Sequence, residues 1–517
     1  MNHISRLADL NKMNNFSMRA NYPKFNINTI VYISIIILIS ISTLFGINIL
    51  SVQFLITIIT GLFLFYRFLS INRQKKLHLL VAELFTPAMI WLLFGVGGII
   101  ALFRVDDQIF YRQYEDSSVL MVSIFAVLGM IGYFFGFWLV YNWRRKTKTK
   151  LIKMPLHQVY IVTFGILLFD WYMRFRMIQK GWYFNWVIKQ VADNSIRGTD
   201  FLYQVYLTIS FLSPALLLYF VSIKPKNWLY KAALFVQILL ITATGDRINI
   251  IYATLILLIS YFILYKIKMN FKSAVICIFI VLLFFGLLGP IIQFARVEMR
   301  ADAQDLMANP LAIPVRFFTE YIPNVFKDNT LSSPSTSSQT QSLPGRLGSY
   351  MAYAASIYQS YIYGIPLFPT SQFVISLQEV LPRFIFPNKT ILNEDALILD
   401  HFQIGYSGLD ANGTYLTDVF TQLHVIGIIG LMLFAGAGIA FFSRHLENRY
   451  GLVGQIIMVG LLPNLIIAGD SFGNYLSDFR NIFLLLIALQ SVLLIIQLIK
   501  PSQSTRIEIE DLSADLI

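Results

Sequence analysis

The sequence predicts an all-α, polytopic integral membrane protein with about twelve transmembrane helices and one large external loop. Three observations carry that prediction. Of 517 residues, 56% are hydrophobic and only 13% are charged, with a mean hydropathy of +0.65, whereas an ordinary soluble domain is about one quarter charged. Apolar runs of roughly 17 to 25 residues, long enough to cross a bilayer as helices, recur from Thr29 almost to the C-terminus. The loops between them alternate in charge, as expected when short Lys- and Arg-rich loops stay in the cytoplasm.

In chain order, a mostly polar tail (1–28) with no cleavable signal peptide precedes nine spans that fill 29–292. They are 29–47, 50–66, 84–103, 118–141, 158–177, 202–222, 228–244, 248–265 and 273–292. A connection at 293–417 follows, then spans 418–442, 453–469 and 481–499 within 418–500, and a tail at 501–517. Alternating the faces puts both termini in the cytoplasm. The inner segments then carry 24 Lys and Arg against 7 Asp and Glu, and the outer segments 16 against 21. Topology and anionic lipid thus account for the sequence pI of about 9.5, and nucleic acid is not indicated as a partner. The single cysteine, Cys277, falls inside a span and reads as core filler.

Function is expected in the one long connection, because the others are barely longer than turns. Its stretch NTLSSPSTSSQTQSLPG (329–345) has too little apolar surface to fold alone. The following RLGSYMAYAASIYQSYIYGIPLF places Tyr350, Tyr353, Tyr358 and Tyr361 at helical spacing, suited to the outer leaflet. Tyr350 and Tyr353 are candidate platforms for stacking a sugar, with an aromatic belt as the plainer alternative.

The two faces use different cations. The inner segments hold 15 Lys and 9 Arg, the outer ones 12 Arg and 4 Lys. Arginine matches phosphate oxygens with a planar fork and keeps its charge in a dry site, so the bias suggests an anionic ligand. The candidates are Arg247, in ATGDRIN at the head of a span, Arg296 and Arg300, four apart on one helix face, and Arg383 and Arg480. Arg174 and Arg176 stand at another outer span end. Alternatively, each arginine snorkels or pairs with Asp170, Asp246, Glu298 or Asp478. For proton transfer the outer side offers Glu298 and His401 first. His424, among Leu423, Val425 and Ile426, reads as a packing residue. No nucleophile elbow, phosphate-binding loop or metal-ligand set stands out, so neither a metal nor a cofactor is expected.

These features resemble the bacterial oligosaccharide repeat-unit polymerases, the O-antigen (Wzy-type) polymerase family. The resemblance covers most of 29–499 and rests on many spans with small loops, the TGDR turn leading into a span, the late external loop and LPRFIFPNKTILNEDA (381–396). It rests also on the glycine-rich stretch leading into the span that carries Gly427 and Gly430. The chain departs from the pattern at Asp246, where the family often has a small residue, and Asp418 is the nearest match to an acidic residue before the later span. The resemblance implies a GT-C-like glycosyltransferase in the bacterial cytoplasmic (inner) membrane. Its substrates would be undecaprenyl-diphosphate-linked oligosaccharides, with membrane lipids and a chain-length regulator as partners. It implies transfer of the growing chain onto a fresh unit, with Arg247 and the other arginines on the diphosphates and Glu298 or His401 as base. Two rivals remain: an O-antigen ligase, and a flippase for lipid-linked glycans, which calls for ionisable residues at mid-membrane and pseudo-symmetric halves. A reporter fused after Ser335 is expected to be active only outside the cytoplasm; a cytoplasmic signal would invert the topology.

Overall fold

The computed structural model describes residues 48–74, 76–103, 115–142, 156–179, 201–243, 247–267, 315–316, 319–320, 323, 352–368, 394–403, 414–461 and 472–499. Apart from Asn48 they belong to one unit, Ile49–Ile517. The described residues contain helices and no strand. In order the helices are α1 (Ile49–Arg73), α2 (Leu80–Leu102), α3 (Asp116–Asn142), α4 (Leu156–Gln179), α5 (Phe201–Ile209), α6 (Leu212–Ile223) and α7 (Trp228–Ala243). They continue with α8 (Arg247–Leu264), α9 (Ala352–Ile362), α10 (Glu394–His401), α11 (Tyr415–Tyr450), α12 (Leu452–Gly460) and α13 (Phe472–Ile499). Four of them, α1, α2, α3 and α11, are long and apolar enough to cross a membrane, and α6 to α8 contain shorter apolar helices. The described residues are those of an all-helical membrane protein.

Burial separates the two faces of α1. Gln53, Thr57, Thr60, Leu64 and Arg67 recur every three or four residues on the buried side, while Leu55, Ile58, Leu62 and Phe65 face outward. A helix with its polar groups inside and its greasy ones outside is at home only in hydrocarbon.

Contacts fix how the helices run. At one end, here termed the basic end, the Tyr141 hydroxyl donates to Glu447 at 2.8 Å, His78 lies 3.5 Å from the same carboxylate, and Arg444 donates to the Val140 carbonyl. At the opposite, loop end Phe54 meets Phe103, Phe125 stacks on Phe420, and Phe94 meets Tyr353. So α1, α3 and α11 run the same way and α2 runs against them. Glycines set the central seam, where α3 and α11 touch backbone to backbone. A Cβ at Gly136 would lie 2.0 Å from the Leu433 carbonyl oxygen, and one at Gly436 2.1 Å from that of Tyr133. Small residues permit this approach, and close packing substitutes for the hydrophobic effect that lipid cannot supply between helices.

Helix α2 is not regular. It alternates π turns at Leu80–Leu84 and Trp91–Val96 with α-helical segments. The wider turn opens carbonyls, and neighbours take them up: Gln53 donates to the Phe94 and Gly95 carbonyls at 3.3 and 3.1 Å, and Ser123 to Phe94 at 2.8 Å. In the first π turn Glu83 forms a fully buried ion pair with Arg67, whose Nε lies 2.8 Å from Oε1. Trp138 donates to the same oxygen at 3.1 Å, and its ring lies 5.0 Å from the guanidinium.

The structure corrects several sequence boundaries. The run expected at 50–66 continues to Arg73 and that at 84–103 starts at Leu80, so Arg67 and Glu83 lie inside helices. The run at 202–222 is broken at Ser210–Phe211, and that at 418–442 extends from Tyr415 to Tyr450. Spans 29–47 and 273–292, the segment 329–345 and both terminal tails fall outside the described residues, whereas the run at 481–499 lies within α13, which starts earlier, at Phe472. Gly136→Leu and Gly436→Leu are each expected to lower stability by about 1–3 kcal/mol through overpacking. Gly430→Leu, at a site with open space, should be tolerated; thermal unfolding in detergent measures all three.

Candidate functional site

Helix α11 starts with an ordinary cap. Thr414 is extended, and its hydroxyl accepts from the Thr417 amide at 3.2 Å, satisfying one of the amides that a helix start leaves open. Ten residues later the helix is interrupted. His424 has φ 62 and ψ −165, a region reserved almost entirely for glycine and costing about 1–3 kcal/mol for other residues.

A break at this point strands carbonyls that a continuous helix would satisfy, among them Thr421, whose partner would be the amide of Val425. The Phe368 amide takes that role at 2.9 Å. Phe368 belongs to a strap that leaves the C-terminus of α9 through Gly364 at φ 68 and is described over residues 363–368. The break also explains Gly427: a Cβ there would lie 2.4 Å from Leu423 Cβ and 2.9 Å from Val419 Cγ1. Its companion in the sequence motif, Gly430, faces open space.

Two histidines pack beside this strap and the end of α9. The Tyr361 hydroxyl is 2.5 Å from Nε2 of His424, with the rings edge to face at 5.7 Å, and Phe420 covers the imidazole from within the helix at 5.3 Å. Tyr361 is 47% exposed, so it stands between His424 and the surroundings, and burial of its hydroxyl holds its pKa above the usual tyrosine value. His401, at the end of α10, has Nε2 2.7 Å from the Pro366 carbonyl and its ring 4.3 Å from that of Phe368. A carbonyl only accepts, so Nε2 carries the hydrogen of this contact, and Nδ1 is the nitrogen left to accept whenever the ring is neutral.

Among the other sequence candidates, Arg247 opens α8 and is described only as a helix residue. Arg480 is half-buried on α13 and directs Nε and Nη2 to the Asn481 side-chain oxygen at 3.1 and 2.9 Å. Arg296, Arg300, Arg383, Glu298 and Tyr350 lie outside the described residues. Tyr353 is fully buried, 6.0 Å from Phe94 and 5.1 Å from Phe420, and these rings fill the space a stacked sugar would need. Arg174 follows the pairing alternative: its Nε lies 3.2 Å from both carboxylate oxygens of buried Asp170. Ser213 donates to Asp170 at 3.1 Å and Gln237 also reaches it, so the pair ties α4, α6 and α7 together.

The sequence ranks His424 behind His401, as a hydrogen-bonded packing residue, and Tyr361 only as one of four tyrosines at helical spacing; the structure joins the two. Backbone strain has no local signature, and the one available signal was Gly427 three residues after a polar group in an otherwise apolar span. In thermal unfolding His424→Gly is expected to be more stable than His424→Ala by about 1–3 kcal/mol, because only glycine relaxes in that backbone region. Equal stability would remove the strain. Compared with family models, curated proteins and solved structures, the chain finds no match.

Proposed function

We propose that the chain polymerises undecaprenyl-diphosphate-linked oligosaccharide repeat units into a surface polysaccharide. In this reading about twelve spans form a GT-C-like bundle in a bacterial cytoplasmic membrane, both termini are cytoplasmic, and the loop end is external. The observation that carries it is a histidine held in a costly backbone conformation and joined to a half-exposed tyrosine. It follows directly on the long connection that carries Arg296, Arg300 and Arg383. Strain of this kind persists where surroundings over-determine it, as functional sites do.

The chemistry follows from these groups. The bond between the donor's anomeric carbon and the diphosphate oxygen breaks, leaving its electron pair on the diphosphate. Arg247, Arg296, Arg300, Arg383 and Arg480 are the cations proposed to stabilise that charge, since fixed positive groups act directly on a developing anion. The acceptor hydroxyl oxygen bonds the same carbon. Its proton passes to the Tyr361 oxygen while the Tyr361 proton moves to Nε2 of His424. A phenol with a raised pKa is a poor base alone, and the imidazole behind it supplies the basicity. His401, through Nδ1, and Glu298 are the other bases available to the site.

A flippase for lipid-linked glycans is the second reading. Arg67–Glu83 and Asp170–Arg174 favour it, because ionisable groups inside membrane helices often mark a transport path. Each of the four is engaged by a protein partner, which is also what a purely structural pair requires.

Deleting the gene in a glycan-producing host separates the readings on a gel. A polymerase predicts single capped units without a ladder, a ligase predicts polymer stranded on the carrier, and a flippase predicts units trapped inside. His424→Ala is expected to reduce polymer by about 100-fold or more, Tyr361→Phe by less, and Arg247→Ala to abolish it with Arg247→Lys restoring little. A wild-type ladder from His424→Ala at normal expression sinks the assignment of that residue.

A further inference from the structure

The turn between α6 and α7, Lys224-Pro-Lys-Asn-Trp228, lies far from the site just described. Gly460, at the far end of α12, packs on Leu212 at the start of α6. Since α12 begins directly after α11 finishes at the basic end, α6 runs back toward that end and delivers the turn there.

The turn is ordered by its own bonds. The Lys224 amide bonds the Phe220 carbonyl at 2.9 Å, the Asn227 amide bonds that of Lys224 at 3.0 Å, and the Asn227 side chain accepts from the Leu229 amide at 3.0 Å, capping α7. Beneath it Tyr160, Phe220 and Tyr230 stack, with centroids 4.5 Å apart for the first two and 5.6 Å for the last two. The Lys224 ammonium rests over the Tyr160 ring at 5.1 Å. This lysine is positioned by an aromatic floor, so less side-chain freedom is lost when it meets an anion. Lys226 and Lys231 are exposed, and Trp228 is 70% exposed at the helix start.

Below the turn, α7 presents a bare apolar stripe. Trp228, Leu229, Phe235, Val236 and Leu239 are all exposed at spacings that put them on one side of the helix. Gln237, on the opposite side, is fully buried against Asp170 and Ser213. Cations and a capped helix start, an interfacial tryptophan and an acyl-length stripe therefore follow one another down the same surface.

We infer that this surface is a binding site for an anionic glycerophospholipid. The headgroup phosphate meets Lys224 and Lys226 at the start of α7, where the helix dipole also favours negative charge. Trp228 sits at the glycerol level, as indoles do at membrane interfaces, Lys231 snorkels up from one turn below, and the acyl chains lie along Phe235, Val236 and Leu239. The inference stands apart from the proposed catalytic reading and holds whichever face of the membrane this end occupies.

Native mass spectrometry of the full chain in detergent tests it, titrated in parallel with phosphatidylglycerol, phosphatidylcholine and inorganic phosphate. Phosphatidylglycerol is expected to be retained in preference to the other two. Lys224→Gln with Lys226→Gln should weaken that retention by about ten-fold or more, since each lysine near anionic lipid is worth about 1 kcal/mol. Lys266→Gln, an exposed lysine outside this turn, should leave it unchanged. Equal retention of phosphatidylcholine, equal loss with Lys266→Gln, or binding of phosphate alone overturns the assignment. Lys226→Gln alone, on the exposed turn, serves where the double variant does not fold, and unchanged retention there also counts against the site.

Discussion

In hydrocarbon no water is present to satisfy an open amide, carbonyl or charge, so each must find its partner inside the protein. The described architecture meets much of that requirement, although among the described residues the buried Thr60 hydroxyl and Glu83 Oε2 have no hydrogen-bond partner. The polar side chains of α1 turn inward, and Gln53 and Ser123 close the carbonyls opened by the π turn in α2. Arg67 and Glu83 neutralise one another, and Asp170 collects Arg174, Ser213 and Gln237. The strap at 363–368 exists on the same grounds, since without the Phe368 amide the break at His424 would leave a stranded carbonyl.

Satisfying a polar group is different from gaining stability by it. Removing two charges from water is expensive, and a buried ion pair often contributes less than an apolar replacement of equal shape. Arg67–Glu83 and Asp170–Arg174 are better understood as fixing which helices pack together, because either ion left alone in the membrane interior would be heavily penalised. Dispersion across the α3–α11 seam supplies the adhesion, and Gly136 and Gly436 let the backbones approach closely enough to gain it.

Much of this was legible in the residues. Among the described residues hydropathy located most of the helical segments, since long apolar runs in a sparsely charged chain have few other outcomes. The ends were harder: α1 and α2 extend past the apolar limits because Arg67 and Glu83 cancel each other, which a hydropathy window cannot see. The pairing of Arg174 with Asp170, four residues earlier on one helix, was anticipated as an alternative, whereas its link to Ser213 and Gln237 depends on tertiary packing. The sequence places the tyrosines around α9 at a helical spacing suited to the outer leaflet, with Tyr353 a candidate sugar platform. Instead Tyr353 turns into the core and Tyr361 reaches His424, a division set by which face α3 and α11 cover. The strain at His424 comes from the meeting of a broken helix with a distant strap, and no window of sequence contains both.

The interruption in α11, closed by the strap and guarded by Tyr361, is the feature that the proposed chemistry needs. Cysteines placed at 368 and 421 in a Cys277→Ser background test it most directly, by mild oxidation in native membranes. The account predicts rapid, near-complete disulfide formation, because the backbones of these residues are hydrogen-bonded to one another. Absence of the crosslink in a properly inserted protein would contradict it.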